Sequence, residues 1–294
     1  MRLTRYEDVR EFYDRAGEFL EAHEAEHNLP LGICGSLLRR PDTYAEANFT
    51  IVDDGDTGDG DVIAVALRTP PHNLVLALVE PESATDEALA LIARDAQAMY
   101  GAALPGVLGT TAIAAAFAAQ WQALTGAISV IAMKQRIYKL TQMLPLTSPV
   151  AGVFRDATEA DIPILAPWLT AFEIECGVAA NDAPEQYIRR KLAAPDNGLV
   201  VWEDGGQLVT MVGYGGPTPH SVRIGPVYTP PEARGHGYAS ACTAAVSQRL
   251  LDQGWQFLTL FTDLANPTSN HIYQMIGYAP VCDMDMYGFS AIRR

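Results

Sequence analysis

The sequence predicts a mixed α/β (α+β) fold, a mostly antiparallel sheet flanked by helices, in two copies along the chain. Three observations point to it. Short β-rich runs alternate with stretches of helical spacing through residues 150–294. An acidic glycine turn, Glu203-Asp204-Gly205-Gly206, joins two of these runs as a hairpin. A similar succession of patterns fills residues 7–133.

In chain order, the charged stretch 7–27 has helical spacing. The runs Asn48–Val52, Val62–Arg68 and Leu74–Val79 read as strands. Helices are expected at Thr85–Tyr100 and Ala112–Leu124, then a strand at Ile128–Met133. Leu144-Pro145-Leu146-Thr147-Ser148-Pro149 carries two prolines, which cannot continue a helix, and reads as a connector. It divides the chain into domains at 1–148 and 149–294.

The second domain opens with the short strand Phe154–Ala157. A helix through Leu165, Trp168, Leu169 and Phe172 follows, with Thr158 or Asp161 as its cap. Gly198–Trp202 and Gln207–Val212 are the arms of the hairpin, and Val222–Thr229 is the next strand. From Tyr238 to Leu251, Ala239, Cys242, Val246 and Leu250 share a helix face, and Gly254 stops the helix. Trp255–Thr262 is a strand. Asn266-Pro267 opens a helix that ends at Gly277, with Asn as cap and Pro in the first turn. Ala279–Phe289 completes the sheet.

Composition limits the function. Hydrophobic residues are 49% and charged residues 19%, enough for a large core. No apolar run approaches the roughly 20 residues of a membrane span, and the charged N-terminus lacks a secretory core, so a cytoplasmic protein is expected. Cys34, Cys176, Cys242 and Cys282 are widely spaced, which predicts free thiols. A net charge of −15 disfavours nucleic acid and anionic membranes as partners. Oligomeric state is not encoded in any of these patterns.

The stretch that carries chemistry is Val227-Tyr228-Thr229-Pro230-Pro231-Glu232-Ala233-Arg234-Gly235-His236-Gly237-Tyr238-Ala239-Ser240. A strand runs into a glycine-bearing turn that opens a helix. The first amides of a helix lack partners and carry partial positive charge, which suits a diphosphate. Neither a P-loop nor a complete G-x-G-x-x-G is present, since Ser240 stands where the third glycine would be.

Arg234-x-x-Gly237-x-Ala239 resembles the [Q/R]-x-x-G-x-[G/A] signature of GNAT-type N-acetyltransferases. The segment Asn266-Pro267-Thr268-Ser269-Asn270-His271-Ile272-Tyr273-Gln274-Met275-Ile276-Gly277-Tyr278 is similar to a second segment of that family. The resemblance covers 152–290 and reaches the first half only through element order, as a tandem form with a degenerate first copy. It implies a GNAT-like acyl-CoA fold and an enzyme moving an acetyl group from acetyl-CoA to a primary amine, with no metal. By that resemblance, backbone from Arg234, Gly235, His236, Gly237, Tyr238 and Ala239 holds the cofactor diphosphate. Val227 and Tyr228 bond its pantetheine arm, and Asn266 or Asn270 contacts it. Tyr273 is the general acid for the departing thiolate. Glu173 or Glu175 is the candidate base, ahead of Asp263 and His220. Cys242 reads as core.

Two alternatives compete. A non-catalytic acyl-CoA-binding or sensory module would use the same fold. His23-Glu24-Ala25-Glu26-His27 spells H-E-x-x-H, which on a helix would aim two imidazoles at zinc in a metallopeptidase. Asp53–Asp61 is acidic but misses the calcium-loop spacing. The counterpart of the diphosphate turn in the first half, Val79–Ala84, has no glycine and two carboxylates, so cofactor binding is expected in the second half alone.

Overall fold

The computed structural model describes residues 1–55, 57–58, 60–78, 83–146, 148–177 and 182–290. The chain forms two compact units, Met1–Arg136 with Cys282–Arg294, and Ile137–Val281.

In the first unit, β1 (Arg2–Tyr6) is followed by α1 (Val9–Glu21), α2 (Asn28–Arg39), β2 (Asn48–Asp53), β3 (Val62–Arg68) and β4 (Leu74–Leu78). Then come α3 (Ser83–Tyr100), β5 (Gly106–Thr110), α4 (Thr111–Thr125) and β6 (Ile128–Leu140), whose last residues enter the second unit. The second unit repeats this order. It comprises β7 (Val153–Asp156), α5 (Ile162–Glu175), α6 (Pro184–Ala193), β8 (Gly198–Asp204), β9 (Gln207–Gly215) and β10 (Ser221–Tyr228). It closes with α7 (Tyr238–Asp252), β11 (Phe257–Asp263), α8 (Pro267–Met275) and the start of β12 (Ala279–Ser290). Among the described residues no helix is long and apolar enough to cross a membrane.

The sheet of the first unit runs β1-β2-β3-β4-β5-β12-β6, with β1 to β4 antiparallel, β4 and β5 parallel, and β5 and β12 antiparallel. The last strand of the chain is therefore a central strand of this unit, with Met284–Gly288 aligned on Gly106–Thr110. Phe289 stacks on Trp121 and Phe117 at 5.5 and 6.4 Å between ring centroids. The second unit runs β6-β11-β10-β9-β8-β7, antiparallel from β10 outward and parallel between β10 and β11.

Local chemistry explains where the elements begin and end. Asp8 caps α1 by accepting from the amides of Arg10 and Glu11 at 2.7 and 3.1 Å. Thr158 and Asp161 form a reciprocal capping box ahead of α5. The helix expected across 7–27 ends at Glu21, and a second begins at Asn28. Pro30 has no amide to donate, so it fits the first turn of a new helix and not the middle of an old one. Helix α6 was not anticipated, because Ile188 is its one fully buried residue and the apolar period is faint. Strands β1 and β5 were also missed: one is charged, and the other holds two glycines in five residues. Strand β6 continues past Met133 because Arg136 pairs with Asp283 of β12 at 2.6 and 3.0 Å.

Candidate functional site

The site begins where β10 leaves β11. Their parallel register covers Ser221–Arg223 against Phe257–Thr259, whereas β10 stays paired with β9 as far as Tyr228. An irregularity between Ile224 and Val227 marks the change. From there to Tyr228, one edge of β10 is no longer paired with its parallel neighbour. Val227 and Tyr228 lie on this stretch. The Tyr228 carbonyl accepts from Thr210 Oγ1 at 2.8 Å, and its ring is buried against Trp168 at 6.2 Å.

A single 3-10 turn, Pro231–Ala233, leads into Arg234-Gly235-His236-Gly237 and then α7. Gly235 and Gly237 have φ of +82° and +80°, a conformation that side-chain-bearing residues disfavour. Gly237 is the N-cap of α7 and supplies no side-chain acceptor. Among the described residues, the amides of 235–240 have no hydrogen-bond acceptor, and the turn is largely exposed. A Cβ at Gly235 would meet nothing within 4 Å, so a ligand can come close to that backbone. A Cβ at Gly237 would press on Val150 at 3.2 Å. Unpaired amides on an open, glycine-lined helix start fit a diphosphate.

Beside this turn lies a cavity of about 320 Å³. His236, Gly237 and Ser240 line one side, His271, Ile272 and Met275 another, and Ser148 and Pro149 of the connector, with Val150 after it, a third. The motif segments around residues 235 and 270 thus share one hollow. The contribution of the connector could not be foreseen, since no local pattern marks it as part of a site.

The side chains expected to act are distributed as follows. Tyr273 is buried on α8, its ring edge-on to Tyr278 at 5.9 Å. Its hydroxyl has no hydrogen-bond partner among the described residues. Burial, and then the neighbouring Cys176 thiol, raise its pKa well above the usual tyrosine value, so it holds its proton. Cys176 follows the last residue of α5, which brings the end of that helix to Tyr273.

Glu175 meets Arg234 instead of standing free. Both its carboxylate oxygens lie 2.8 and 2.9 Å from Arg234 Nη2. Arg234 Nε donates to the Thr229 carbonyl at 2.9 Å. Glu173 is buried on the same helix and is engaged within the fold. Tyr238 donates to Asp204 at 2.5 Å and stacks on His236. Ala239 lies in the first turn of α7.

Both asparagines make hydrogen bonds within the fold. Asn266 caps α8 through the Ser269 amide at 3.1 Å. Asn270 donates to the Asp263 and Asn266 carbonyls, each at 2.8 Å, and accepts from Tyr138 at 3.1 Å. Asp263 accepts from the Ala265 amide at 2.8 Å, and the His220 carbonyl accepts from Gln256. Cys242 is wholly buried inside α7, and all four cysteines are free.

Neither the H-E-x-x-H segment nor the acidic loop is assembled as a metal site among the described residues. His23–His27 lies in the turn between α1 and α2, not on a helix. His27 is buried, with the Leu20 carbonyl 3.2 Å from Nδ1 and the Leu78 carbonyl also beside the ring. In the acidic loop, carbonyls that a cation would need are bonded by arginines: Thr57 by Arg2, and Gly58 and Gly60 by Arg15. Among the described residues no group of His, Cys, Asp or Glu is arranged to hold a metal. Of the counterpart turn in the first half, 79–82 lies outside the described residues.

No curated protein sequence matches significantly. Residues 165–278 match the family model described as the acetyltransferase (GNAT) family. Solved structures extend the likeness along the chain. A GCN5-related N-acetyltransferase from Sphaerobacter thermophilus aligns with a TM-score of 0.62 at 15% identity, covering 99% of this chain and 96% of that one. A GNAT-family acetyltransferase from Colwellia psychrerythraea gives 0.59 at 14%, with 98% and 99% covered. A tandem GNAT protein from the clavulanic acid biosynthesis pathway gives 0.58 at 14%, with 98% of both chains covered. At such identities the structures speak for the fold, and the family model speaks for the domain. Residues 165–278 thus match the GNAT acetyltransferase family model, and the chain shares the fold of these GNAT structures along nearly its whole length.

Proposed function

We propose that the second unit transfers an acetyl group from acetyl-CoA to a primary amine by direct attack, with no covalent enzyme intermediate. One observation carries this reading: the freed edge of β10 runs straight into the unpaired amides of 235–240. Together they form a continuous main-chain track suited to a pantetheine arm followed by a diphosphate. The cofactor supplies an activated acyl thioester.

The chain's own groups account for the rest. Free amides along β10, at Val227 or Tyr228, polarise a carbonyl and stabilise the negative charge that grows on its oxygen. Tyr273 holds a proton beside the end of α5 and gives it to a departing thiolate. Glu173, the other candidate carboxylate on α5, takes the proton of the attacking amine directly or through water. The helix start, with His236 and His271 lining the cavity beside it, receives the diphosphate.

An acetyl-CoA consumption screen against an amine library tests the reading, with Tyr273→Phe as comparison. Loss of turnover with retained coenzyme A affinity is expected. A Tyr273→Phe protein as active as the wild type would remove the acid role. Coenzyme A bound without turnover of any amine would favour a binding or sensory module.

A further inference from the structure

We infer that Arg234 and Glu175 form a clamp that positions the cofactor turn against the end of α5, and that Glu175 is a positioning residue and not the base. The inference rests on the acetyltransferase reading above and assigns roles within that same site.

The geometry ties three segments through one guanidinium. Nε donates to the carbonyl of Thr229, the residue that follows β10, at 2.9 Å. Nη2 holds both oxygens of Glu175, 59 residues away in sequence. The guanidinium carbon also stands 5.8 Å from the centre of the Tyr228 ring, within cation–π range. Arg234 itself opens the glycine turn. Its side chain points back toward the strand and the helix, so what it orients is its own backbone and that of the residues after it.

Glu175 is the last residue of α5, where the helix dipole is negative. A carboxylate there is unfavourable by itself and needs a cation. Arg234 supplies one, its Nη2 shared between the two carboxylate oxygens at 2.8 and 2.9 Å. The next residue, Cys176, lies beside Tyr273. The clamp therefore links the diphosphate turn at one end to the acid at the other. A carboxylate already accepting from a guanidinium would have to surrender that contact to receive a proton from an amine.

Both partners are about half exposed, at 48% each. Exposed pairs add little to stability, so the variants fold. This separates positioning from folding. The experiment measures coenzyme A affinity by titration calorimetry, and Tm by thermal unfolding, in the full chain. It compares wild type with Glu175→Ala, Arg234→Ala, the double variant and Glu175→Gln. A shared clamp predicts that each alanine variant weakens coenzyme A binding by roughly fivefold, and that the double variant is no worse than either alone. Glu175→Gln keeps an oxygen for the guanidinium and recovers most of the affinity. Tm stays within about 2 °C in all of them.

Unchanged affinity in Glu175→Ala, with a loss confined to Arg234→Ala, would show that Arg234 acts on the ligand by itself and would overturn the clamp. Multiplying losses in the double variant would do the same. A wild-type chain that binds no coenzyme A would bring down the acetyltransferase reading and the clamp together.

Discussion

At the scale of single residues, a side chain's role follows from what it already touches. Tyr273 is buried, has no hydrogen-bond partner and retains its proton, which suits a donor. Tyr273→Phe is expected to lower kcat on the order of 10²-fold, the usual range for a general acid, with coenzyme A affinity unchanged. Steady-state kinetics beside calorimetry checks this. Asn270 illustrates the opposite case: with both amide protons and its oxygen engaged, it braces α8 on β11 and β6. Asp161 carries a pH prediction. Its bidentate partner Arg155 and the Thr158 amide lower its pKa to about 2, below its unfolded value. The stabilisation is therefore present above about pH 4 and is lost as pH falls toward 2. Asp161→Asn should cost about 1–2 kcal/mol at pH 7 and nothing near pH 2, as read by urea unfolding.

At the scale of elements, the turn into α7 depends on two left-handed glycines. Gly235→Ala and Gly237→Ala should each cost about 1–2 kcal/mol of strain. Gly237→Ala should also displace Val150 and weaken coenzyme A binding more than Gly235→Ala does, because its added methyl meets that side chain at 3.2 Å. The turn between α1 and α2 makes a separate prediction. Burial lowers the His27 pKa to about 4, so the folded protein keeps this ring neutral. Its contribution is complete above the unfolded value near 6.5 and is lost as pH falls from there to 4. Replacing it, as in His27→Gln, should flatten the pH dependence of unfolding by about 3 kcal/mol across that interval. Most elements could be read from sequence because their apolar periods are local. The hairpin 198–215 and helix α7 appear where their patterns place them, whereas α6 and β1 hide because few of their residues are buried.

At the scale of the molecule, the two copies share one order of elements, but the chain does not divide cleanly between them. Residues 282–290 supply a central strand of the first unit, and Phe289 completes its Phe117–Trp121 stack. Deleting 282–294 should therefore unfold the first unit, which circular dichroism and limited proteolysis would reveal. A stably folded 1–281 protein would contradict this. By itself the sequence determined the mixed α/β class, the tandem order and the glycine turn that opens α7, since these depend on local periodicity and on glycines at fixed offsets. Only the tertiary structure decided that the last strand serves the first unit, that the connector lines the cavity, and that Arg234 is held by Glu175. Strand partners and ion pairs between residues 59 to more than 170 positions apart leave no periodic trace in the chain; they are chosen by packing and charge once the elements have formed.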